Sequence, residues 1–345
     1  MLERLCNAVA VSGDEGEVRR IVLEAVTPHA DEVRVDALGN VLAVKRGSGN
    51  RRPRVMLDAH MDEVGFMIVA DDGKGYFQFQ VIGGIRPSHL LGKHVIAGKD
   101  HQLGVIGTKP VHLSSQDERK RNVEVESLRI DLGPDGQVTI GDRATFATRF
   151  RRAGGSIMAK SVDDRIGVAI LLDLVSNSPP NIDLCAAFTV QEEIGLRGAG
   201  VAARFFSPDL AIAIDAASAN DLPSRDGAEN VAYDCRLGSG PAIYIAGRRD
   251  LSDARLVRFL QHAADVEGIP HQFRQAAPGW TDASAIQESL AGVPSVSVSV
   301  PVRYPHSPIS IARVTDWMNT LRLLETALQR ITRTVVAPST RRASQ

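Results

Sequence analysis

Two pairs of adjacent carboxylates are the clearest candidates for chemistry in this sequence. Asp163 and Asp164 open an almost wholly apolar helix, predicted over residues 164–175, which should be buried and should therefore hold its first turn rigidly. Glu192 and Glu193 form the second pair, one helix and one strand later. Carboxylates clustered at the ends of buried elements repel one another and lose hydration, so a cation is the economical partner.

A helix start offers a simpler interpretation of the first pair. One aspartate would cap the helix and the other would be a first-turn acid, because helix N-termini favour negative charge. This interpretation accounts for one aspartate, but it leaves the second acidic pair unexplained.

Further metal-type ligands follow other predicted strands. His60 and Asp62 are two residues apart, so both project to one face of an extended chain, where Asp62 can hydrogen-bond the second ring nitrogen of His60. Asp215 ends the apolar strand LAIAID, and His306 follows the alternating strand SVSVSV. A lone histidine is usually structural or at the surface. Five ligand-type residues at five element ends favour a site shared by two zinc-like ions: His60, Asp163, Glu193, Asp215 and His306.

The elements that must position these side chains alternate between helix and strand. Helices are predicted over Glu17–Val26, 164–175, Ser252–Glu267 and Val314–Ile331. Strands are predicted over Val33–Val35, Asn40–Val44, Arg54–Ala59, Leu184–Val190, Leu210–Ile214, Ala242–Ile245 and Ser295–Val300. Such alternation is typical of an α/β fold with a central sheet.

The segment 71–156 has a different texture, with frequent glycines, short alternating strands and no convincing long helix, which indicates an inserted all-β module. We therefore expect a catalytic domain in two parts, 1–70 and 157–335, with the β domain at 71–156 between them. The tail 336–345 lacks periodicity, and we expect it to be disordered.

Composition excludes several classes of protein. The 345 residues include 40 basic and 41 acidic side chains, so no overall field favours nucleic acid or an anionic membrane as partner. Three scattered cysteines are too few for a disulfide framework or a thiolate metal site, which favours a reducing compartment. No signal peptide or membrane-spanning run is recognisable. We expect a cytoplasmic protein.

Six segments together resemble one known family. They are VMLDAHMDEVGF (55–66), KSVDDRIG (160–167), FTVQEEIGLRGA (188–199), AIAIDAA (211–217), TDASAIQ (281–287) and VRYPHSP (302–308). Their order and spacing are similar to those of the M42 metallo-aminopeptidases, a family that includes the glutamyl and the tetrahedral aminopeptidases. The resemblance runs nearly end to end, and it extends to VSGDEGEVR and VDALGNVLA in the first fifth of the chain.

The resemblance implies a fold and roles for individual residues. The fold would be α/β, a three-layer αβα zinc-peptidase-like domain with a small barrel-like insertion. His60, Asp163 and Asp215 would bind one metal ion. Asp163 would bridge to a second ion, which Glu193 and His306 would also bind. Glu192 would be the general base and Asp62 the partner that orients His60. Relatives have a cis peptide between the two aspartates.

The order of the two glutamates depends on the family alone. Adjacent residues of a strand point to opposite faces, so the sequence itself leaves open whether Glu192 or Glu193 is the base.

The resemblance also implies cofactors, substrates and assembly. Two divalent ions per subunit, zinc or cobalt with manganese as a further option, would activate a water that attacks peptides with a free N-terminus. Alternatives are a related hydrolase of another amide, such as a carboxypeptidase or deacylase, a glycosidase, or a non-catalytic metal-binding homologue. The inserted module would pair subunits into dimers that form a hollow dodecamer. The polar segment 110–122 would be a mobile loop near the substrate path.

Overall fold

A computed structural model describes residues 1–49, 52–113, 115–116, 123–223, 235–248, 251–275 and 279–337. The helices are α1 (Leu2–Asn7), α2 (Gly16–Val26), α3 (Val162–Ser176), α4 (Arg197–Phe206), α5 (Ala254–Glu267), α6 (Asp282–Gln287) and α7 (Val314–Arg330). Strands β1–β9 are Glu32–Val35, Val41–Lys45, Arg54–His60, Gly65–Gly73, Tyr76–Ile82, His94–Ala97, Gln102–Gly107, Arg129–Asp131 and Arg143–Phe146. Strands β10–β17 are Arg151–Ala153, Ser156–Ala159, Asp183–Thr189, Leu210–Ser218, Ala242–Tyr244, Gln272–Arg274, Ser295–Arg303 and Ser310–Arg313.

Eleven of the described strands form one large mixed sheet. Nine of them follow the order β1-β2-β12-β3-β13-β16-β17-β11-β10, while β14 pairs with β16 and β15. The four central strands β12, β3, β13 and β16 are parallel. Parallel strands need crossover connections, and these are supplied by helices that cover both faces of the sheet.

Helix α3 lies at the centre of one helical layer. It packs on the central strands and contacts α1, α2 and α7. Residues 166–172 of this helix are buried, whereas Asp173 is exposed. On the opposite face α4 and α6 pack against each other and against the sheet. The predicted three-layer α/β fold is confirmed.

Helix α4 was not predicted, because its sequence RGAGVAARFF contains two glycines, which are poor helix formers. Tertiary packing explains Gly198: a Cβ at this position would lie 2.3 Å from Asn40 Oδ1 and 2.6 Å from the Val190 carbonyl. The helix can therefore approach β12 only because this residue has no side chain.

Six other described strands close into a barrel in the order β4-β5-β8-β7-β6-β9, with β9 returning to pair with β4. The rings of Phe79 and Phe146 meet that of Phe66 edge to face, with centroids 5.1 Å and 5.4 Å away. The insertion is thus all-β, as predicted. The barrel strands run from Gly65 to Phe146, whereas β10 and β11 pair in the large sheet. The domain division at residues 71 and 156 stays a prediction.

The expected disordered tail at 336–345 and the expected mobile loop at 110–122 fall partly outside the described residues. Residues 338–345 of the tail and residues 114 and 117–122 of the loop segment lie outside them. Among the described residues, no helix is long and apolar enough to cross a membrane.

Candidate metal centre

The side chains that the sequence singled out meet at one edge of the large sheet. His60 is the last residue of β3, Glu192 and Glu193 follow β12, and His306 follows β16. Because these strands are parallel, their carboxyl ends lie side by side. Asp215 differs from the prediction: it lies within β13 and not at its end, because β13 stays paired with β16 as far as Ser218.

His60 presents its two ring nitrogens to different partners. Its Nε2 atom lies 3.3 Å from Asp163 Oδ1 and 3.8 Å from Asp215 Oδ1. Its Nδ1 atom lies 3.2 Å from the Asp62 carbonyl oxygen and 3.5 Å from Asp62 Oδ1. The side chain is only 3% exposed. Asp62 thus occupies Nδ1 and leaves Nε2 directed at the two carboxylates, as expected for a metal-binding imidazole.

His306 faces the other side of the same aspartate. Its Nε2 atom lies 3.1 Å from Glu193 Oε2 and 3.5 Å from Asp163 Oδ2. The two carboxylate oxygens of Asp163 therefore point to different histidines. A bridging ligand between two cations would need this arrangement.

The peptide bond between Asp163 and Asp164 is cis, and neither residue has helical backbone angles. Asp164 is fully buried, and its Oδ1 atom accepts a hydrogen bond from the Gly167 amide. The capping role considered above thus belongs to Asp164. A carboxylate oxygen of Asp164 also lies within 4.8 Å of ligand atoms of His60 and Asp215. Glycine at 167 makes room for it, since a Cβ there would lie 2.3 Å from Asp164 Oδ2.

Burial and mutual contacts shift the titration of these groups. Burial raises the pKa of Glu193 to about 8 and that of Asp215 to about 6. The charge of Glu193 raises the pKa of His306 to about 10. Burial would lower the pKa of His60, but hydrogen bonds with Asp163 and Asp215 raise it well above its usual value. With these raised pKa values, His60, Glu193 and His306 favour their protonated forms at neutral pH, and a bound cation would displace those protons.

The two glutamates have different surroundings. Glu193 is the one beside His306, whereas Glu192 belongs to neither cluster of possible ligand atoms among the described residues. Their backbone amides both donate to the Asp62 carboxylate, at 3.0 Å from Glu192 and 3.2 Å from Glu193. The pair lies after the end of β12, in a turn where Gln191 has φ +59°. Strand alternation therefore does not govern where the two side chains point.

The centre opens into a cavity of about 400 Å³. The predicted site residues that line it are His60, Asp163, Glu192, Glu193, Asp215 and His306. Its wall adds side chains that sequence reasoning did not find, Tyr244, Arg248, Arg274 and Trp280. Asp62 does not line the cavity, and it contacts the candidate centre through His60 Nδ1.

The donor set consists of imidazole nitrogens and carboxylate oxygens, which suits zinc and similar divalent ions. A sequence model of the family described as M42 glutamyl aminopeptidase matches residues 39–323 of this chain. The chain belongs to the M42 aminopeptidase family.

Related proteins match this M42 aminopeptidase over nearly its whole length. The lysyl aminopeptidase of Pyrococcus furiosus is 30% identical over 345 residues, which cover 96% of each chain. An aminopeptidase from the archaeon Desulfurococcus kamchatkensis has a solved structure with a TM-score of 0.92 and 32% identity, covering 100% of this chain and 98% of that one. The TET1 peptidase of Pyrococcus horikoshii, with a TM-score of 0.82 and 29% identity, covers 96% and 98%. Its structure is described as assembling into a tetrahedron or a large octahedral shell.

Sequence reasoning also missed residues of this M42 aminopeptidase that contact Asp62 or Glu63 without lining the cavity. Ser12 Oγ donates to Asp62 Oδ2 at 2.6 Å, and Arg165 and Lys160 pair with buried Glu63. A signal was present, because two of these charged residues stand within the segment KSVDDRIG. Their partners cannot be deduced from sequence spacing.

Proposed function

We propose that this M42 aminopeptidase is a dinuclear metal enzyme that removes N-terminal residues from peptides. One divalent ion is held by His60, Asp163 and Asp215, and the other by Asp163, Glu193 and His306. The observation that carries this proposal is the placement of Asp163, whose Oδ1 atom lies 3.3 Å from His60 and whose Oδ2 atom lies 3.5 Å from His306. Zinc or cobalt fits these ligands best, and manganese is a further candidate.

Asp164 is the competing ligand for the first ion, since it groups with His60 and Asp215. The contact that favours Asp163 is the one between its Oδ1 atom and His60 Nε2, at 3.3 Å. Asp164 accepts the Gly167 amide through Oδ1 at 3.0 Å, while its buried Oδ2 has no hydrogen-bond partner among the described residues.

The chemistry divides between the ions and the protein. Divalent ions held by these residues would lower the pKa of a water and polarise the peptide carbonyl. Glu192 is the proton carrier: it takes the proton of the attacking water and passes it to the leaving amine. Its position supports this role, because it lines the cavity at 6% exposure and belongs to neither cluster of possible ligand atoms among the described residues. Burial raises the pKa of Glu192 well above its usual value, which suits a group that accepts a proton.

Peptides with a free N-terminus are the proposed substrates. The test compares one peptide in three forms, with both termini free, with the N-terminus acetylated, and with the C-terminus amidated. We expect the zinc- or cobalt-loaded enzyme to release the first residue from the free and the amidated forms only. Cleavage of the acetylated peptide from its C-terminus, or release of the acetyl group, would instead identify a carboxypeptidase or a deacylase.

The proposal extends to assembly and location. The enzyme forms dimers through its barrel module, and these dimers assemble into a hollow dodecamer. Support for the number of chains comes from a solved TET1 structure, 29% identical to this chain, that is described as a dodecamer. The module at 71–156 acts as a separate domain between the two parts of the catalytic domain. The nearly equal numbers of basic and acidic residues favour neither nucleic acid nor a membrane as a partner. The proposed location is the cytoplasm.

A further inference from the structure

A cluster of buried charges lies behind the loop that carries His60 and Asp62. Lys160 Nζ is 2.7 Å and 2.8 Å from the two carboxylate oxygens of Glu63, and Arg165 Nη2 is 3.1 Å from Glu63 Oε1. These three side chains are at most 3% exposed. None of them lines the 400 Å³ cavity, and the proposed reaction uses none of them.

Arg165 contacts the backbone of the metal-binding loop directly. Its Nη1 atom donates to the carbonyl oxygens of Met61 and Asp62, the latter at 3.0 Å. The Asp62 carbonyl is also the group 3.2 Å from His60 Nδ1. The guanidinium therefore fixes the acceptor that orients the imidazole.

Ser12 contacts the side-chain carboxylate of Asp62, the residue whose backbone carbonyl Arg165 contacts. Its hydroxyl donates to Asp62 Oδ2 at 2.6 Å, while the Glu192 amide donates to Asp62 Oδ1 at 3.0 Å. Ser12 lies outside the residues 39–323 that the family model matches. The N-terminal segment thus contributes a side chain to a centre otherwise built from the matched residues.

We propose that Arg165 and Ser12 are positioning residues of the metal centre. Arg165 fixes the carbonyl of Asp62 and Ser12 fixes its carboxylate, so that Asp62 holds Nδ1 of His60 and directs Nε2 at Asp163. The inference rests on the proposed function in one respect, the identity of His60 as a ligand. Loss of such an outer partner typically lowers metal affinity by about 10–100-fold.

The planar shape of the guanidinium suits the contacts that Arg165 makes. Arg165 reaches four acceptors on two separate segments: the carbonyls of Leu5, Met61 and Asp62 and the carboxylate of Glu63. A planar fork with five donors can span them, whereas a lysine ammonium presents its donors from a single point. Arg165→Lys therefore keeps the positive charge beside Glu63 but loses the fork.

The test uses two mild substitutions, each with a matched control elsewhere in the chain. Ser12→Ala is compared with Ser295→Ala, because the buried hydroxyl of Ser295 donates to the Val293 carbonyl at 2.9 Å and Ser295 does not line the cavity. Arg165→Lys is compared with Arg52→Lys. Arg52 pairs with Asp183 at 2.7 Å. This pair lies at the amino ends of β3 and β12, whereas His60 is at the carboxyl end of β3.

Two measurements are made on each folded protein. Competition with a chromophoric chelator gives the zinc affinity of both sites, and ¹⁵N NMR of labelled histidines in the zinc-loaded protein reports the Nδ1–H group of His60. We expect Ser12→Ala and Arg165→Lys to weaken the site containing His60 by about 10–100-fold, with less effect on the site containing His306. The Nδ1–H signal should shift and exchange faster with water. The two controls should match the wild type in both measurements.

Unchanged zinc affinity and an unchanged His60 signal in both variants would overturn the positioning role. If Arg165→Lys does not fold, Ser12→Ala decides the question, since it removes a single hydroxyl group. A wild-type protein that binds no zinc at His60 would show instead that the proposed function has failed. The wild-type titration therefore separates the two failures.

Discussion

At the scale of single residues, the key feature of the candidate centre is that Asp163 lies between its two histidines. One of its carboxylate oxygens faces His60 and the other faces His306, at 3.3 Å and 3.5 Å. Asp215 and Glu193 each stand beside only one of these histidines at the distances given above. The aspartate between the histidines is the residue that links the two proposed ions.

Substitution of Asp163 should therefore disturb both ions at once. Asp163→Asn is expected to lower the occupancy of both sites, whereas Asp215→Asn should mainly empty the site at His60. Elemental analysis of the purified variants measures the effect. Asp183→Asn, at the opposite end of β12, serves as the control and should retain two ions. Two full equivalents of metal in Asp163→Asn would remove the bridging role.

Glu192 should matter for rate and not for metal content. Glu192→Gln is expected to keep near-normal metal while kcat falls by ~10²–10⁴-fold or more, the usual weight of general acid–base catalysis. Steady-state kinetics and metal analysis are run on the same sample. Glu193→Gln is the matched comparison, and it should lose metal together with activity. If the two variants show the opposite pattern, the roles of the two glutamates are reversed.

At the scale of elements, parallel strands bring the proposed ligands together from distant parts of the chain. The ends of β3, β12 and β16 supply residues to the centre, and β13 supplies Asp215 from within its length. The short strands β14 and β15 add a wall beyond the ligands. Tyr244 and Arg274 are paired in register there, and the Arg274 guanidinium carbon lies 4.3 Å from the centre of the Tyr244 ring.

This wall predicts a preference for an acidic N-terminal residue. Arg274 and Arg248 both line the cavity and place positive charge beside it. A charge-assisted hydrogen bond is worth about 1.5–3 kcal/mol, so kcat/KM for glutamyl anilide should exceed that for glutaminyl anilide by roughly tenfold or more. Lysyl anilide should be the poorest substrate. Anilides lack a C-terminal carboxylate, so the comparison isolates the side chain.

The matched variant is Arg274→Gln, which should lose the preference for glutamyl over glutaminyl anilide and change turnover of leucyl anilide much less. Equal kcat/KM for glutamyl, glutaminyl and lysyl anilides in the wild type would reject the assignment of this wall.

At the scale of the whole molecule, the barrel occupies the chain between two proposed ligands of one ion, His60 and Asp163. It begins at Gly65, five residues after His60, and its last strand ends at Phe146, before Asp163. Both ends of the barrel must therefore return to the metal centre. The hydrogen bond from Thr145 to Glu63, at 3.0 Å, joins them. We expect the rest of the barrel to offer a surface for contact with another subunit.

The mass in solution tests the assembly. Static light scattering of the full chain at micromolar concentration should give a mass many times 37.1 kDa, with twelve chains as the expected number. The same measurement on Asp215→Asn separates assembly from metal binding, since this variant should still assemble. A mass equal to one chain would refute the assembly and leave the proposed metal centre untouched.

The sequence by itself determined the fold class, and it pointed to residues that the structure brings together at the candidate centre. Helix α3 could be recognised because its apolar residues cover every face, which only a buried helix requires. The ligand types could be recognised because paired acids and histidines at the ends of apolar strands are costly without a cation. The expected strands also formed, and their predicted bounds mostly agree within a few residues.

Only the tertiary structure decided which atoms meet. It turned the two oxygens of Asp163 to different histidines, and it placed Glu193 rather than Glu192 beside His306. It also brought Ser12, Arg165 and Arg274 to the centre from elements far apart in the chain. Sequence periodicity describes neighbours along one element, whereas these contacts depend on the register between strands and on the path of the chain through the barrel.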